Sequence, residues 1–228
     1  MFSSSFFMYF CKKSDNNKIM ATNITNLNIS DQKLTEWYNY IDTSNNNNAK
    51  LYASYIQGCA MPLLEISACN EFPKQLTNKY GTIILSDNVF CSIPNVDDAQ
   101  KFLDFMHKML NNDGMLLVEV RFPWQRIKSA NTSAWQSGCD VENNEGENFI
   151  YSYRDVVDFA EQTITTHSRY EIIKDGNLQG LRYDTVAWRW YGIRELKSML
   201  LAVGFNNITT KKITEPDSDS FTILFICR

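Results

Sequence analysis

The chain has 228 residues, 44% of them hydrophobic, so it is long enough for one α/β domain with a full core and short for two. Its 22 Lys and Arg residues against 26 Asp and Glu residues give a net charge of -4. Because this charge provides no long-range attraction to a phosphate backbone, nucleic acid is disfavoured as a partner.

Residues 1–48 are predicted to form a polar, Asn-rich and largely disordered N-terminal extension, since they cannot bury enough apolar surface to order themselves. The apolar run at 6–10 is too short to span a bilayer and lacks the flanks of a signal peptide, so no membrane span is expected. Met20 is an alternative start that would remove this run. Only residues 32–41 carry apolar side chains at helical spacing, which predicts a helix there.

The six cysteines are scattered along the chain without a C-x-x-C pair, and only two histidines accompany them. This pattern disfavours both a zinc site and a dense disulfide framework. We therefore expect no metal centre, and buried reduced thiols in a cytoplasmic protein.

Residues 49–228 are predicted to form one α/β domain, because strand and helix signals alternate there. Three short apolar runs, at 61–66, 82–86 and 115–120, are typical of strands in a parallel sheet that is covered on both faces. We expect these strands to lie in the interior of the domain.

A helix is predicted over 97–110, with Asn95 or Asp97 as its N-cap and the Asn-Asp-Gly sequence at 112–114 as its end. Its apolar residues recur at helical spacing: Phe102, Phe105, Met106, Met109 and Leu110. A helix between two strands at this spacing predicts a βαβ unit with parallel strands and a right-handed crossover.

A β-hairpin is predicted from the segments 163–173 and 178–190, which are rich in β-branched and aromatic residues. Between them lies Lys-Asp-Gly-Asn at 174–177, a sequence typical of a tight turn.

A second helix is predicted over 193–203, where apolar residues again recur at helical spacing and Gly204 follows as a C-cap. Two further strands are predicted at 206–213 and 221–227, joined by a polar turn and antiparallel to each other.

Three blocks carry a resemblance to a known family: Tyr-Gly-Thr-Ile-Ile-Leu-Ser-Asp-Asn-Val-Phe at 80–90, Asn-Asp-Gly before Met-Leu-Leu-Val-Glu-Val at 112–120, and Trp-Arg-Trp-Tyr-Gly-Ile-Arg-Glu-Leu at 188–196 with Val-Gly-Phe at 203–205. In their order along the chain and in their amino-acid sequence they resemble class I S-adenosylmethionine-dependent methyltransferases. The resemblance runs over most of 51–228. It implies an α/β fold with a Rossmann-like, mostly parallel sheet flanked by helices, an antiparallel hairpin insertion and a C-terminal antiparallel strand.

The resemblance also implies a set of residues that bind the cofactor, S-adenosylmethionine. Glu65 takes the position that binds the methionine amino group in the family, or else caps a neighbouring loop, and Ser67 follows in the same loop. Asp87 and Asn88 follow a central strand, where open α/β sheets bind ligands. Phe90 either lines the adenine pocket or belongs to the core.

Three residues are implied as substrate ligands. Arg121 follows the strand predicted at 115–120 and either contacts the substrate or forms a solvated rim. Arg189 and Tyr191 lie over the crevice in the family architecture, although an aromatic-rich hairpin end also serves packing. The sequence identifies no catalytic residue.

The chain departs from the family pattern in its cofactor half. The glycine-rich loop is replaced by Ile-Ser-Ala-Cys-Asn-Glu at 66–71, which lacks every glycine that lets the backbone approach the cofactor. The two strand–helix units that should follow, together with their acidic ribose ligand, have no counterpart. Losing two charge-assisted hydrogen bonds would weaken binding by about 3–6 kcal/mol.

Three hypotheses follow for the function. The first is an active methyltransferase that acts on a small molecule or a protein. The second is an inactive binding module or regulatory subunit, whose exposed sheet edge pairs with another chain in a homo- or hetero-oligomer. The third is that a gene-model error has removed an internal segment.

Overall fold

A computed structural model describes residues 28–41, 60–66, 78–86, 88–214 and 221–228. They divide into two compact units, one with the described residues of Cys59–Phe122 and Tyr191–Arg228 and one with those of Lys18–Gly58 and Pro123–Trp190. The predicted boundary after residue 48 and the predicted disorder before residue 28 lie outside the described residues, so both stay predictions.

In chain order, the described elements are α1 (Asp31–Ile41), β1 (Leu63–Ile66), β2 (Tyr80–Leu85), a 3-10 helix (Val89–Ser92), α2 (Val96–Met109), β3 (Leu110–Arg121), α3 (Trp124–Ser129), β4 (Gln136–Glu142), β5 (Glu147–Asp158), β6 (Thr163–Lys174), β7 (Asn177–Arg189), α4 (Ile193–Ala202), β8 (Ile208–Thr214) and β9 (Phe221–Cys227). Among these residues, no helix has the length and apolar character needed to cross a membrane.

The first unit contains a mixed five-stranded sheet in the order β1-β2-β3-β9-β8. Strands β1, β2 and β3 pair in parallel, as predicted, while β9 pairs antiparallel with both β3 and β8. The central strands are almost wholly buried, because their apolar runs face covering layers on both sides. The predicted α/β class is therefore confirmed.

Helix α2 starts as predicted, since the Asn95 side chain accepts a hydrogen bond from the Asp98 backbone N–H at 3.0 Å. The end predicted at 112–114 is wrong. The helix stops at Met109, and Leu110 is already extended because it pairs with Tyr80 of β2. Strand pairing therefore overrides the local turn signal, and the strand predicted at 115–120 begins five residues earlier, at Leu110.

Helix α4 ends in a Schellman motif, which confirms the predicted glycine cap. Gly204 has a φ of 112°, and its N–H bonds the Leu201 carbonyl at 3.1 Å. The Phe205 N–H bonds the Leu200 carbonyl at 3.2 Å, and both of these side chains are fully buried. The cap thus joins the helix end to the core of the first unit.

Replacing Gly204 by alanine is expected to lower the free energy of unfolding by about 1–2 kcal/mol, since an L-residue disfavours this conformation. In addition, the new Cβ would lie 3.0 Å from the His107 ring. Chemical denaturation measures the change. Gly192→Ala is the matched control, because Gly192 has a φ of -70° and an open Cβ position. Equal stabilities of the two variants would contradict the prediction.

The second unit contains a four-stranded antiparallel sheet in the order β4-β5-β6-β7. The predicted hairpin is confirmed as β6 and β7, joined through Asp175 and Gly176, whose φ angles of 51° and 72° fit a two-residue turn. The sequence prediction omitted β4 and β5, so the antiparallel sheet has four strands instead of the two that were expected.

The helix predicted at 32–41 is also confirmed, as α1. It packs on one face of the four-stranded sheet through a shared apolar cluster, in which the Trp37 ring stacks on Phe149 at 5.1 Å. The other members of the cluster are Ile29, Leu34, Tyr170 and Ile172. The amphipathic pattern of α1 is therefore explained by packing against this sheet.

Cys91 and Cys227 are buried free thiols, and burial raises the pKa of each to about 12. Because the thiolate is the reactive form, iodoacetamide at pH 8 is expected to leave both unmodified in the native protein and to label both in guanidinium chloride. Cys139 is half-buried and provides an internal comparison that should react first. Peptide mass spectrometry measures the labelling, and rapid native labelling of Cys91 would contradict this account.

Candidate functional site

The carboxyl ends of β1 and β2 bring two polar side chains together. Glu65 lies on β1, and Ser86 directly follows β2. The two strands are parallel, with Glu65 opposite Ile84, so Ser86 lies two residues beyond the partner of Glu65, at the same end of the sheet. The fully buried Ser86 hydroxyl donates to Glu65 Oε1 at 2.9 Å. An exposed carboxylate is thus oriented by a buried donor.

Asn88 follows Ser86 by two residues and has two unusual features. Its backbone is left-handed, with φ 57° and ψ 24°, and it precedes the 3-10 helix as the N-cap. Its side-chain oxygen is buried and has no hydrogen-bond partner among the described residues. Since a buried acceptor without a donor is costly, this atom is suited to an N–H or O–H group of a ligand or a water.

Phe90 and Tyr191 lie in the core of the first unit. The Phe90 ring is fully buried, and its centroid is 4.6 Å from that of Tyr191. The Tyr191 hydroxyl donates to the Ile93 carbonyl at 2.9 Å. Both rings therefore lie in surroundings that fit a packing role. Contact of Phe90 with the cofactor and contact of Tyr191 with the substrate stay predictions.

The remaining predicted site residues fall in different units or lie outside the described residues. Arg121 is exposed at the end of β3 in the first unit. Arg189 belongs to the second unit, where its guanidinium donates to the Glu161 carbonyl. Ser67 and Asp87 lie outside the described residues. The structure thus places Glu65 in contact with Ser86 at the carboxyl ends of β1 and β2, and Asn88 two residues after Ser86.

A surface depression of about 550 Å³ lies at the opposite edge of the same sheet. It is lined by residues that precede β1 and β2, Ala60 and Lys79, and by residues at the start of β3, among them Asn111. Ligands of open α/β sheets bind at the carboxyl ends instead. The depression is therefore a less suitable ligand site than the edge with Glu65.

Comparison with known proteins finds similarity in structure alone. No protein-family model and no curated protein matches the sequence. Among solved structures, the S-adenosylmethionine-bound amino pentose methyltransferase CalS10 from Micromonospora echinaspora superposes with a TM-score of 0.62 at 12% identity, covering 88% of this chain and 99% of that one. The chain has the fold of an S-adenosylmethionine-dependent methyltransferase.

Two further methyltransferase structures are also similar to this chain. The sugar N-methyltransferase KedS8 from Streptoalloteichus sp. gives a TM-score of 0.60 at 11% identity, covering 92% of this chain and 98% of that one. An S-adenosylmethionine-dependent methyltransferase from Clostridium acetobutylicum gives 0.50 at 16% identity, covering 86% of this chain and 71% of that one. The family resemblance inferred from the sequence is thus confirmed at the level of the methyltransferase fold.

Proposed function

We propose that the protein is an S-adenosylmethionine-dependent methyltransferase whose acceptor is the amine of a small molecule. The observation that carries the proposal is the hydrogen bond from Ser86 that orients the Glu65 carboxylate at the carboxyl ends of β1 and β2, together with the unsatisfied oxygen of Asn88, two residues after Ser86. The amine acceptor is suggested by the fold neighbours, which include an amino pentose methyltransferase and a sugar N-methyltransferase.

The residues at this edge fit the polar groups of the cofactor. The Glu65 carboxylate would accept hydrogen bonds from the ammonium of the methionine moiety, and Ser86 would hold that carboxylate in place. The Asn88 oxygen would accept from a further N–H or O–H group. S-adenosylmethionine, when bound, supplies a methyl group on a positively charged sulfur. The chain's contribution is then to bind and orient both reactants, which is a large source of rate enhancement.

The cofactor site is proposed to be a shortened version of the family's site. Strand β1 pairs directly with β2, and only residues 67–79 connect them. This connection leaves no room for two additional strand–helix units and their acidic ribose ligand. We therefore expect the chain to bind the cofactor more weakly than proteins with the complete fold do. We also expect the protein to be cytoplasmic.

Among the described residues β1 is the edge strand of its sheet, and we propose that it pairs with another chain in an oligomer.

Methyl transfer is tested by incubating the purified chain with S-adenosylmethionine and a panel of amino sugars, each matched to the sugar that carries a hydroxyl instead. The expected result is S-adenosylhomocysteine that forms with at least one amino sugar and not with its hydroxyl counterpart. If the chain binds the cofactor but yields no product with any acceptor, the inactive binding module becomes the better account.

A further inference from the structure

The face of the four-stranded sheet opposite α1 carries a cluster of two arginines and two aromatic residues. On the register of β5, β6 and β7, Arg169 lies between Ser152 and Tyr183. The guanidinium carbons of Arg154 and Arg169 lie 6.0 and 5.1 Å from the centroid of the Trp135 ring. The Tyr183 ring centroid lies 6.2 Å from that of Trp135. We call these four residues the outer-face cluster.

The positive charge of the outer-face cluster is only partly neutralised. Arg169 Nε lies 3.1 Å from Glu171 Oε2, but the angle of approach makes this an ion pair and not a hydrogen bond. Among the residues that the structure describes, no carboxylate pairs with Arg154. The residue opposite Arg154 in the register is His167, which contacts the Thr185 hydroxyl at 3.1 Å. Neither of these side chains carries a negative charge that could neutralise Arg154.

The cluster also contains an unsatisfied hydrogen-bond donor. The Nε atom of Arg154 is buried and has no acceptor within the described part of the chain, whereas that of Arg169, also buried, makes an ion pair with Glu171 but no hydrogen bond. Buried donors normally have partners, and two guanidinium groups that face one ring repel each other. An anion with several acceptor oxygens would satisfy both arginines at once.

The rim of the cluster is apolar and open. Trp135 is 36% exposed and Tyr183 is 60% exposed, so both rings are available for stacking. We propose that the outer-face cluster binds the phosphate or sulfate group of a small ligand, whose aromatic or apolar part packs on Trp135 and Tyr183. All four residues belong to the second unit, so this site uses no residue of the proposed cofactor site.

Calorimetric titration of the full chain with inorganic phosphate, inorganic sulfate and phenyl phosphate, at constant ionic strength, tests the proposal. Phenyl phosphate is expected to bind roughly tenfold or more tightly than inorganic phosphate, because only it can stack on the rings. The ratio of phosphate to sulfate affinity distinguishes the two oxyanions. Phenol, which has a ring but no oxyanion, is expected to give no saturable heat.

The variants separate the two parts of the site. Arg154→Gln should weaken phenyl phosphate binding by roughly tenfold to a hundredfold, and Trp135→Ala should weaken phenyl phosphate but not inorganic phosphate. Lys101→Gln removes the same charge from an exposed helix position of the first unit and should change nothing. Circular dichroism establishes that each variant is folded. Absence of saturable binding to the folded native chain, or unchanged binding in folded Arg154→Gln, would overturn the proposal.

Discussion

Replacing Arg126 by methionine is expected to lower the free energy of unfolding by about 3–5 kcal/mol, because it leaves an uncompensated buried charge. Asp155 on β5 is fully buried and accepts hydrogen bonds from Arg126 Nε and Nη2, each at 2.7 Å. The only other donor to this carboxylate in the described residues is the Thr166 hydroxyl, also at 2.7 Å. Methionine keeps an apolar stem of similar length but removes the guanidinium group, whose carbon lies 4.8 Å from the centroid of the Tyr153 ring.

Urea denaturation of the native chain and the variant measures this loss. Lys128→Met on the same short helix is the matched control, since Lys128 is exposed and contacts the Trp124 ring at 5.7 Å. The control should change stability by less than about 1 kcal/mol. A similar loss in both variants would mean that the Arg126–Asp155 pair does not anchor α3 to the sheet.

Replacing Glu65 by glutamine is expected to weaken S-adenosylmethionine binding by roughly tenfold to a hundredfold. The neutral amide loses a charge-assisted hydrogen bond to the ammonium group of the cofactor, worth about 1.5–3 kcal/mol. The Ser86 hydroxyl can still donate to the amide oxygen, so the local structure should persist.

Asp113→Asn is the control for that variant. It makes the same change of charge at the amino end of β3, on the sheet edge opposite Glu65. The control should bind S-adenosylmethionine as the native chain does. An affinity for Glu65→Gln equal to that of the control would remove Glu65 from the proposed cofactor site.

The fold could be predicted where one local signal decided the structure. Continuous apolar runs predicted the buried parallel strands, and the Asp-Gly turn predicted the hairpin. Strands β4 and β5 were missed because polar residues interrupt their alternation. Asp155 occupies a buried position of β5, where Arg126 and Thr166, both distant in sequence, donate hydrogen bonds to its carboxylate. Gly138 in β4 lies where a Cβ would be 2.2 Å from the Tyr151 ring. Neither contact can be derived from neighbours in the sequence.

The candidate site was predictable to a smaller extent. The resemblance to the family identified Glu65 as a candidate, because Glu65 takes the position of the acidic residue that binds the cofactor there. Its partner Ser86 depends on the parallel register of β1 and β2. The left-handed backbone of Asn88, which accompanies the burial of its side-chain oxygen, carries no sequence signal beyond the residue type. The assignment of Arg189 to a different unit from Arg121 and Tyr191 follows from the division of the chain into two units, which the sequence did not predict.

Calorimetric titration of the full chain with S-adenosylmethionine and S-adenosylhomocysteine, alongside an Asp87→Ala variant, tests the central claim most directly. We predict saturable binding of both ligands at submillimolar concentration, with a clear loss of affinity in the variant. No heat at millimolar ligand, from protein shown to be folded by circular dichroism, would contradict the methyltransferase assignment and leave a fold that serves binding to another partner.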